Sequence, residues 1–553
     1  MDLLRPALRA SRLARARPQD PRRHTPDAGR PPARAPFLDP RCTGCDGPAV
    51  SSLPWEDGPA GSAVAADTLR SIRNTVALAG SLVATWAVAL GVRLILPRRL
   101  GPEAFGTYQF ADAFTTAFFV VTSLGVETYI RKEVSTRKEH ASEFFGGMVV
   151  LRLAVSMVIV VLMAALMAAA GRPVRVQKLV LLFAVFQFFS GLNGTGSALL
   201  HAVGAVDGLA VLNVAAKLAW GTGIVAALAS GAGVEGVAVV LALAEALKAG
   251  GVLWLARRHL GLGLAVDLGR TLAVVAASLP FYLHTLAHSI YGRLDVSLMS
   301  FLTSDVEVGW YGAAQNLAGL ALLITPLIGW VLLPMLSRAA ARSEQDLDAV
   351  VRRAFEAVLS AAAPVTLLLG LSAGVLVPTV FGAEFAPAAA SLRILAPMFV
   401  LTYAAMVAST VLIRLERGWA VTAISLSGLG ANALLNAFLI PACWRTFGRG
   451  GAGIGAAWAL VATEAAVTAL MLLLIGGRAF DRRSLSTMGK TALACLLALA
   501  AHRALAGLGP ARIAADALVY FGFIVAFKAV RIGEVVSLVR LASRHKGAYA
   551  VAS

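Results

Sequence analysis

Ionisable side chains recur inside the long apolar stretches of this 553-residue sequence. They are Arg93, Asp112, Arg152, Lys217, Glu245, Lys248, Asp295 and Glu464. A charge within a lipid bilayer is costly, so such residues face a water-filled cavity or a partner of opposite charge. Those near the end of a stretch have a second option, because a long side chain can extend to the lipid headgroups. The pattern predicts a polar cavity whose wall includes some of these residues.

Polar residues also occur at helical spacing within these stretches. In residues 274–302, four of them follow at intervals of four, three and four residues: His284, His288, Tyr291 and Asp295. This spacing places all four on one face of a helix. Tyr108 with Asp112, and Tyr311 with Gln315, show the same four-residue interval in two other stretches. We therefore predict polar stripes that face a common interior.

Two asparagines, Asn432 and Asn436, lie one helical turn apart shortly before Pro441. Amides in a membrane helix commonly hydrogen-bond to neighbouring helices. The same groups could instead bind a polar substrate. The sequence favours the first interpretation slightly and leaves both open.

The composition of the whole chain identifies the surroundings of these residues. It is 58% hydrophobic and 14% charged, with a mean hydropathy of +0.75. Soluble domains carry about 25% charged residues, so the chain is predicted to be an integral membrane protein. Its Ala, Leu and Val content favours helices over the alternating segments of a β-barrel. The formal net charge of +18 is then read as loop charge at one membrane face, with no nucleic-acid partner.

Apolar runs of about 20 residues, the length that crosses a bilayer, follow one another from residue 74. Fourteen spans are predicted, at 74–97, 107–130, 144–170, 177–202, 209–230, 233–256, 274–302, 308–336, 355–381, 391–413, 418–442, 452–477, 487–508 and 513–532. The last two are shorter and are interrupted by His502 and Arg503, so a count of twelve stays open. Lys and Arg are more frequent in the loops on one side, which predicts that both termini are cytoplasmic.

The predicted fold is all-α and polytopic, with two pseudo-symmetric six-helix bundles followed by two further helices. The corresponding divisions are an Arg/Pro-rich tail at 1–70, the two halves at 71–260 and 261–480, the extra helices at 481–535 and a basic tail at 536–553. The first tail has no apolar run and is predicted to be disordered. Its single Cys-x-x-Cys pair, Cys42 and Cys45, provides only two of the four ligands of a zinc site.

An internal repeat relates the two halves. The segment FGTYQFADAF at 105–114 resembles VGWYGAAQNL at 308–317, and a constant offset of 203 residues pairs Gly106 with Gly309 and Tyr108 with Tyr311. The same offset pairs Asp112 with Gln315. Both segments begin a span, the second and the eighth, which predicts parallel repeats around an axis normal to the membrane.

Motifs of soluble catalysis are missing from the sequence. It contains no GxxxxGK[ST] loop and no HExxH. The Gly-rich segment 448–458 leads into an apolar span rather than out of a strand. No enzymatic activity, cofactor or metal is expected.

Several segments, in order, resemble the polysaccharide-biosynthesis flippases of the multidrug/oligosaccharidyl-lipid/polysaccharide exporter superfamily. They are RRLGPEAFGTYQFADAF, SLGVETYIRKEVS, RLDVSLMSFLTSDVEVGWYGAAQNL, LLPMLSR, VFGAEFAPAAASLRILAP and NALLNAFLIPACWRTFGRGGAGIGAAWALVATE. The resemblance covers about residues 70–480. The connection after Ile440-Pro441 is longer than the family's usual short loop.

The resemblance implies a flippase for undecaprenyl-pyrophosphate-linked oligosaccharides that works by alternating access. Such proteins often have a cationic central cavity, which Arg93, Arg152, Lys217 and Lys248 would supply here, with Asn432 and Asn436 as further candidates for substrate binding. Asp112 and Asp295, with His284 and His288, are the candidates for ion coupling or ion pairing. Arginine suits this task because its planar fork binds phosphate at two oxygens.

The implied setting is a bacterial inner membrane and a pathway of surface polysaccharide synthesis. The implied partners are the lipid-linked oligosaccharide, membrane lipid, and a polymerase and glycosyltransferases of that pathway. Three other functions stay open: a lipid II flippase, an ion-coupled multidrug exporter, and a membrane-embedded glycosyltransferase or polymerase. The exporter would need an acidic cavity, and the enzyme would need a large outer loop with catalytic acids.

Overall fold

The computed structural model describes residues 59–123, 141–261, 263, 266–320, 322 and 325–527. Within this part, side chains are described from residue 85 onward, with exceptions that include His284 and His288. Cys42, Cys45 and the predicted basic tail 536–553 lie outside it. The chain separates after Leu69, and the architecture below is that of the unit Arg70–Ser553.

In the described part of the N-terminal half, a kinked helix is followed by four further α-helices. They are α1 (Pro59–Phe119), α2 (Ala141–Ala169), α3 (Val174–Ala202), α4 (Val206–Ala229) and α5 (Gly233–Leu260). Gly101 interrupts α1 with φ +76° and ψ 170°, a conformation that residues with a side chain rarely adopt. Residues from both arms of α1 line the same cavity. The first two predicted spans are therefore joined within one helix that kinks at a single residue.

The C-terminal half contains eight helices in the part of the chain that is described. They are α6 (Leu268–Leu302), α7 (Asp305–Leu320), α8 (Thr325–Arg342), α9 (Glu344–Phe381), α10 (Ala388–Leu395), α11 (Met398–Arg414), α12 (Gly418–Phe447) and α13 (Gly451–Ile475). One predicted span is broken, because 308–336 is divided between α7 and α8. Pro326 in the first turn of α8 fits this break, since proline suits a helix start and interrupts a helix interior. The predicted span 391–413 lies within Ala388–Arg414, where α10 and α11 follow each other as one candidate membrane span.

The two last helices, α14 (Arg482–Ala504) and α15 (Arg512–Ala526), pack against each other and against α9. His502 contributes to this hairpin, since its Nδ1 lies 2.6 Å from the buried carboxylate of Asp516. Among the described residues, nine helical segments are long and apolar enough to cross a membrane. The elements of this part of the chain are helices, and the predicted all-α polytopic membrane fold is confirmed.

The two repeats cross where their shared glycines lie. A Cβ atom on Gly106 would lie 1.7 Å from the carbonyl oxygen of Asp305, and one on Gly309 would lie 1.9 Å from that of Pro102. The offset of 203 residues converts the first contact into the second, because it maps Pro102 onto Asp305 and Gly106 onto Gly309. Small residues allow membrane helices to approach this closely, with Cα–H groups against carbonyl oxygens. The reciprocal contact supports the predicted repeat and a pseudo-twofold relation between the halves at this point.

Candidate functional site

A cavity of about 310 Å³ lies beside this crossing, between α1, α4 and α5 of the first half and α6 and α7 of the second. Its described lining includes four basic side chains, Arg93, Lys217, Lys248 and Arg293, and two acidic ones, Asp112 and Glu245. The formal net charge of this lining is +2 when all six groups are ionised. Asn213, Gln109 and Asn316 add neutral hydrogen-bonding groups, and Trp220 and Tyr108 add aromatic surface.

The structure brings together four residues that the sequence predicted separately: Arg93, Asp112, Lys217 and Lys248. Arg93 is exposed to the cavity, and it has no hydrogen-bond or ion-pair partner among the described residues. Lys217 Nζ lies 3.6 Å from the ring centroid of Trp220, which follows it by one helical turn on α4. Arg93 is thus the cavity cation that is best placed to take a ligand.

Arg293 belongs to the site although its position gave no clear signal in the sequence. Its Nη1 lies 3.0 Å from Oδ2 of Asp112, so the pair joins α6 of one half to α1 of the other. The helical stripe that ends at Asp295 excludes position 293, because residues two apart point to different faces. The opposite charge of Asp112 was the available signal.

Glu245 is the second acidic residue of the cavity, and the sequence analysis gave it no role in the site. Asn193 on α3 donates its Nδ2 to the Glu245 carboxylate, and also to the Glu245 carbonyl oxygen at 3.1 Å. Glu245 and Lys248 lie three residues apart on α5 and both line the cavity. The amide of Asn193 therefore orients a carboxylate that faces two lysines.

A second cavity of about 350 Å³ adjoins the first and shares part of its lining. The shared residues are Arg93, Gln109, Arg293 and Asn316. Its other wall comes from the C-terminal half and includes Tyr291, Gln315, Thr402 and Glu464. Because both guanidinium groups line both cavities, they lie at the boundary between the two halves.

Asp295 is fully buried rather than exposed in a cavity. Its Oδ2 accepts hydrogen bonds from the hydroxyl of Tyr311 and from Nε2 of Gln315, the latter at 3.1 Å. Gln315 Nε2 also lies 3.2 Å from the Tyr311 hydroxyl oxygen. Asp295 Oδ1 has no hydrogen-bond partner among the described residues. Of the predicted polar stripe, Tyr291 therefore lines the second cavity, and Asp295 lies in the interface between helices.

Three further predicted residues lie away from both cavities. Arg152 is buried on α2, where Nε and Nη2 donate to the Thr122 carbonyl oxygen at 3.3 and 3.1 Å. Asn432 and Asn436 are buried on α12, where Nδ2 of Asn436 donates to the carbonyl and side-chain oxygens of Asn432, both at 3.0 Å. Arg152 was predicted as a cavity cation, but hydrogen bonding within its own half holds it elsewhere. The side chains of His284 and His288 lie outside the described set.

Polar contacts reinforce the crossing of the repeats, where the two halves meet. The guanidinium group of Arg172 lies between the rings of Phe110 and Phe301, 5.1 and 5.0 Å from their centroids, and donates to Ser300. Thr107 donates to Asp305 Oδ2 at 3.1 Å. These contacts join the first half to the second beside the crossing.

Comparison with known proteins places this geometry in context. The sequence model of a family described as "Polysaccharide biosynthesis protein" matches residues 71–340. This segment contains every charged residue named above for the first cavity. No curated protein matches the chain at a significant level.

Solved structures share the fold. One described as "Lipid II flippase MurJ, inward closed conformation" has a TM-score of 0.66 at 11% identity, over 84% of this chain and 100% of its own. A MATE family transporter of the MOP superfamily has a TM-score of 0.52 at 17% identity, over 71% of this chain and 94% of its own. The MATE multidrug transporter DinF-BH has 0.53 at 17%, over 78% and 99%. These likenesses establish the fold, and the match of residues 71–340 to the polysaccharide biosynthesis protein model confirms the resemblance predicted from the sequence motifs.

Proposed function

We propose that this multi-pass membrane protein is a flippase for polyprenyl-pyrophosphate-linked oligosaccharide units, which it carries across the membrane by alternating access. The observation that carries the proposal is the cationic cavity at the boundary of the two halves. Its cations come from both halves, since Arg93, Lys217 and Lys248 belong to the first and Arg293 to the second. A ligand bound there touches both moving parts.

The chemistry of the lining fits a pyrophosphate headgroup. A pyrophosphate cannot cross hydrocarbon without compensating charge, because burial of an unpaired anion is very costly. Two arginines offer planar forks for phosphate oxygens, and two lysines offer point charges that follow a moving anion. Asn213, Gln109 and Asn316 supply the neutral donors and acceptors that sugar hydroxyls require. The polyprenyl tail would remain in lipid, outside the space between the halves.

A coupling role for Asp112, Asp295, His284 and His288 is part of the proposal. Asp112 faces the cavity and is paired with Arg293, whereas Asp295 is buried beneath Tyr311 and Gln315. Asn432 and Asn436 sit on the neighbouring helix α12, and α12 packs against α6. Asp295 would take part in coupling through a change in the packing of α6, because one of its carboxylate oxygens has no hydrogen-bond partner among the described residues.

A lipid II flippase is the second candidate, and it fits the same cavity because the headgroup chemistry is shared. The net positive lining argues against an exporter of cationic drugs, whose cavity should be acidic. Transport rather than sugar transfer is proposed, in an inner membrane with both termini in the cytoplasm. Glycosyltransferases and a polymerase would act before and after the flipping step.

Two experiments separate these functions. Deletion of the gene is expected to leave unpolymerised lipid-linked repeat units on the cytoplasmic face, and undiminished surface polysaccharide in a strain without a second copy would contradict the proposal. Rescue of a strain depleted of its lipid II flippase would favour the second candidate instead. Purified protein in proteoliposomes should move a lipid-linked oligosaccharide to the outer leaflet without changing its covalent structure.

A further inference from the structure

The ion pair of Asp112 and Arg293 ties the two halves together inside the cavity. Its oxygen and nitrogen lie 3.0 Å apart, on α1 of the first half and on α6 of the second. Other contacts between the halves described above include the packed glycine crossing and the Arg172 contacts. The Asp112–Arg293 pair is different because both of its groups line a cavity that an anion would occupy.

This pair is accessible enough to be exchanged. The side chain of Arg293 is 42% exposed and that of Asp112 is 20% exposed. Ion pairs that water reaches add little net free energy, so a stronger anion can replace the carboxylate. A pyrophosphate carries more charge than a carboxylate, and it presents several oxygens to the guanidinium fork.

The other charges around the pair favour a two-step capture. Arg93, which lines both cavities with Arg293, has no hydrogen-bond or ion-pair partner in the described part of the chain. An incoming anion therefore meets one uncompensated guanidinium group before it competes for the second. Lys217 on α4 and Lys248 on α5 line the same cavity with Glu245. Tyr108 adds a hydroxyl between Arg93 and Asp112 along the lining of α1.

We propose that Asp112 is a resident counterion that holds Arg293 while the cavity is empty and yields it to the pyrophosphate of the substrate. The exchange removes this ionic tie between the halves, so that occupancy of the cavity changes their freedom to separate. It also makes Asp112 a specificity residue, because a monoanion gains nothing by displacing another carboxylate. The freed carboxylate then repels the bound headgroup and promotes its release. The identity of the anion rests on the proposed function, whereas the tie between the halves does not.

Of the two repeats, only the first has an aspartate at this position. The equivalent of Asp112 is the neutral Gln315, which donates to Asp295 within its own half. Among the described residues Gln315 forms no corresponding ion pair, so this displaceable tie belongs to the Asp112 side of the repeat alone.

The tie is tested without any ligand. In a protein whose four native cysteines are replaced by serine, labels at His259→Cys and Arg342→Cys report the distance between the halves at the end opposite the crossing. Asp112→Asn is expected to shift or broaden the distance distribution, and the charge exchange Asp112→Arg with Arg293→Asp is expected to restore it. Glu235→Gln is the matched control, because Glu235 pairs with Arg175 at the same 3.0 Å but within one half. An unchanged distribution in Asp112→Asn, with the protein monodisperse, would overturn the tie.

The displacement is tested by equilibrium binding of undecaprenyl pyrophosphate in lipid nanodiscs. Asp112→Asn should bind it about fivefold more tightly, a coupling of ordinary size, and should release it more slowly. In an Arg293→Gln background the same change should have a smaller effect on affinity, because only the repulsion between Asp112 and the headgroup is then removed. Equal and measurable affinities in wild type and Asp112→Asn would overturn the displacement alone. No binding to either protein would overturn it together with the proposed substrate, while the distance experiment would still judge the tie.

Discussion

Tyr108 and Tyr311 occupy equivalent positions in the two repeats, yet their surroundings are opposite in kind. Tyr108 lines the cationic cavity, with its ring beside Phe105 and Phe183 at centroid distances of 6.0 and 5.2 Å. Tyr311 is fully buried and donates its hydroxyl to Asp295. One copy of the motif thus faces a ligand space, and the other stabilises a buried carboxylate. The duplicated sequence specifies the crossing of the helices, and the residues around each tyrosine decide its use.

The largest expected effect comes from the feature that the two repeats share. Gly309→Ala should lower the unfolding free energy by about 3 kcal/mol or more, because its new methyl group would overlap the Pro102 carbonyl and force the helices apart. Gly319→Ala on the same helix is the control, since a Cβ there meets nothing within 4 Å. Thermal unfolding in detergent measures both. Equal stability of the two variants would show that the crossing tolerates a side chain.

Loss of a positive charge from the cavity that Tyr108 lines should have the next largest effect, and that effect should fall on the rate of flipping. Arg93→Gln is expected to slow flipping about 10- to 100-fold, since a hydrogen bond to a charged group contributes about 1.5–3 kcal/mol. Arg93→Lys should retain part of the rate, because it keeps the charge without the fork. Arg258→Gln, outside both cavities on α5, serves as the control in the same proteoliposome assay. Full activity of Arg93→Gln would place the binding site elsewhere.

The matched tyrosine variants sharpen the comparison directly. Tyr311→Phe should destabilise the protein by about 1–2 kcal/mol, because the buried Asp295 carboxylate loses one of its two side-chain donors and keeps Gln315 alone among the described residues. Tyr108→Phe should change stability little, since its hydroxyl has no hydrogen-bond partner among the described residues. Its effect should fall on substrate affinity. A reversal of the two outcomes would contradict the division of roles between the repeats.

The smallest effect is expected from the lysines on α4 and α5. Lys217→Gln or Lys248→Gln should weaken binding of undecaprenyl pyrophosphate about two- to fivefold, and less so at high salt, because a lysine acts as a single point charge whose attraction salt screens. Binding measured at two ionic strengths checks this. Loss of binding as severe as that of Arg93→Gln would mean that the headgroup sits on α4 and α5.

Periodicity and costly charges predicted much of the fold and part of the site. The spans of α2 to α5, α12 and α13 lie close to the predicted ones, and the Gly-x-Tyr repeat marks the helix crossing. The sequence also indicated Arg93 and Asp112, since a charge in an apolar run must face a cavity or a partner. It did not reveal the break between α7 and α8, because an apolar run of two short helices reads like one span.

The remaining errors concern contacts between helices distant in sequence. Arg152 and Lys217 are both basic residues inside apolar runs, and only tertiary packing shows that Arg152 bonds to the Thr122 carbonyl while Lys217 faces the cavity. Arg293 was missed because its partner Asp112 lies 181 positions away. Composition and spacing indicate that a buried charge needs a partner, and they do not indicate which helix provides that partner.

The reciprocal contact of Gly106 and Gly309 has a consequence for the ancestry of the chain. A contact in which position i meets position j and the copy of j meets the copy of i is the arrangement of an isologous homodimer. The central crossing is therefore the geometry that two identical half-length subunits would form around a twofold axis before fusion of their genes. In such a dimer one glycine codon would serve both sides of the interface. After fusion each copy diverged in its lining residues, and the shared glycine remains at both positions.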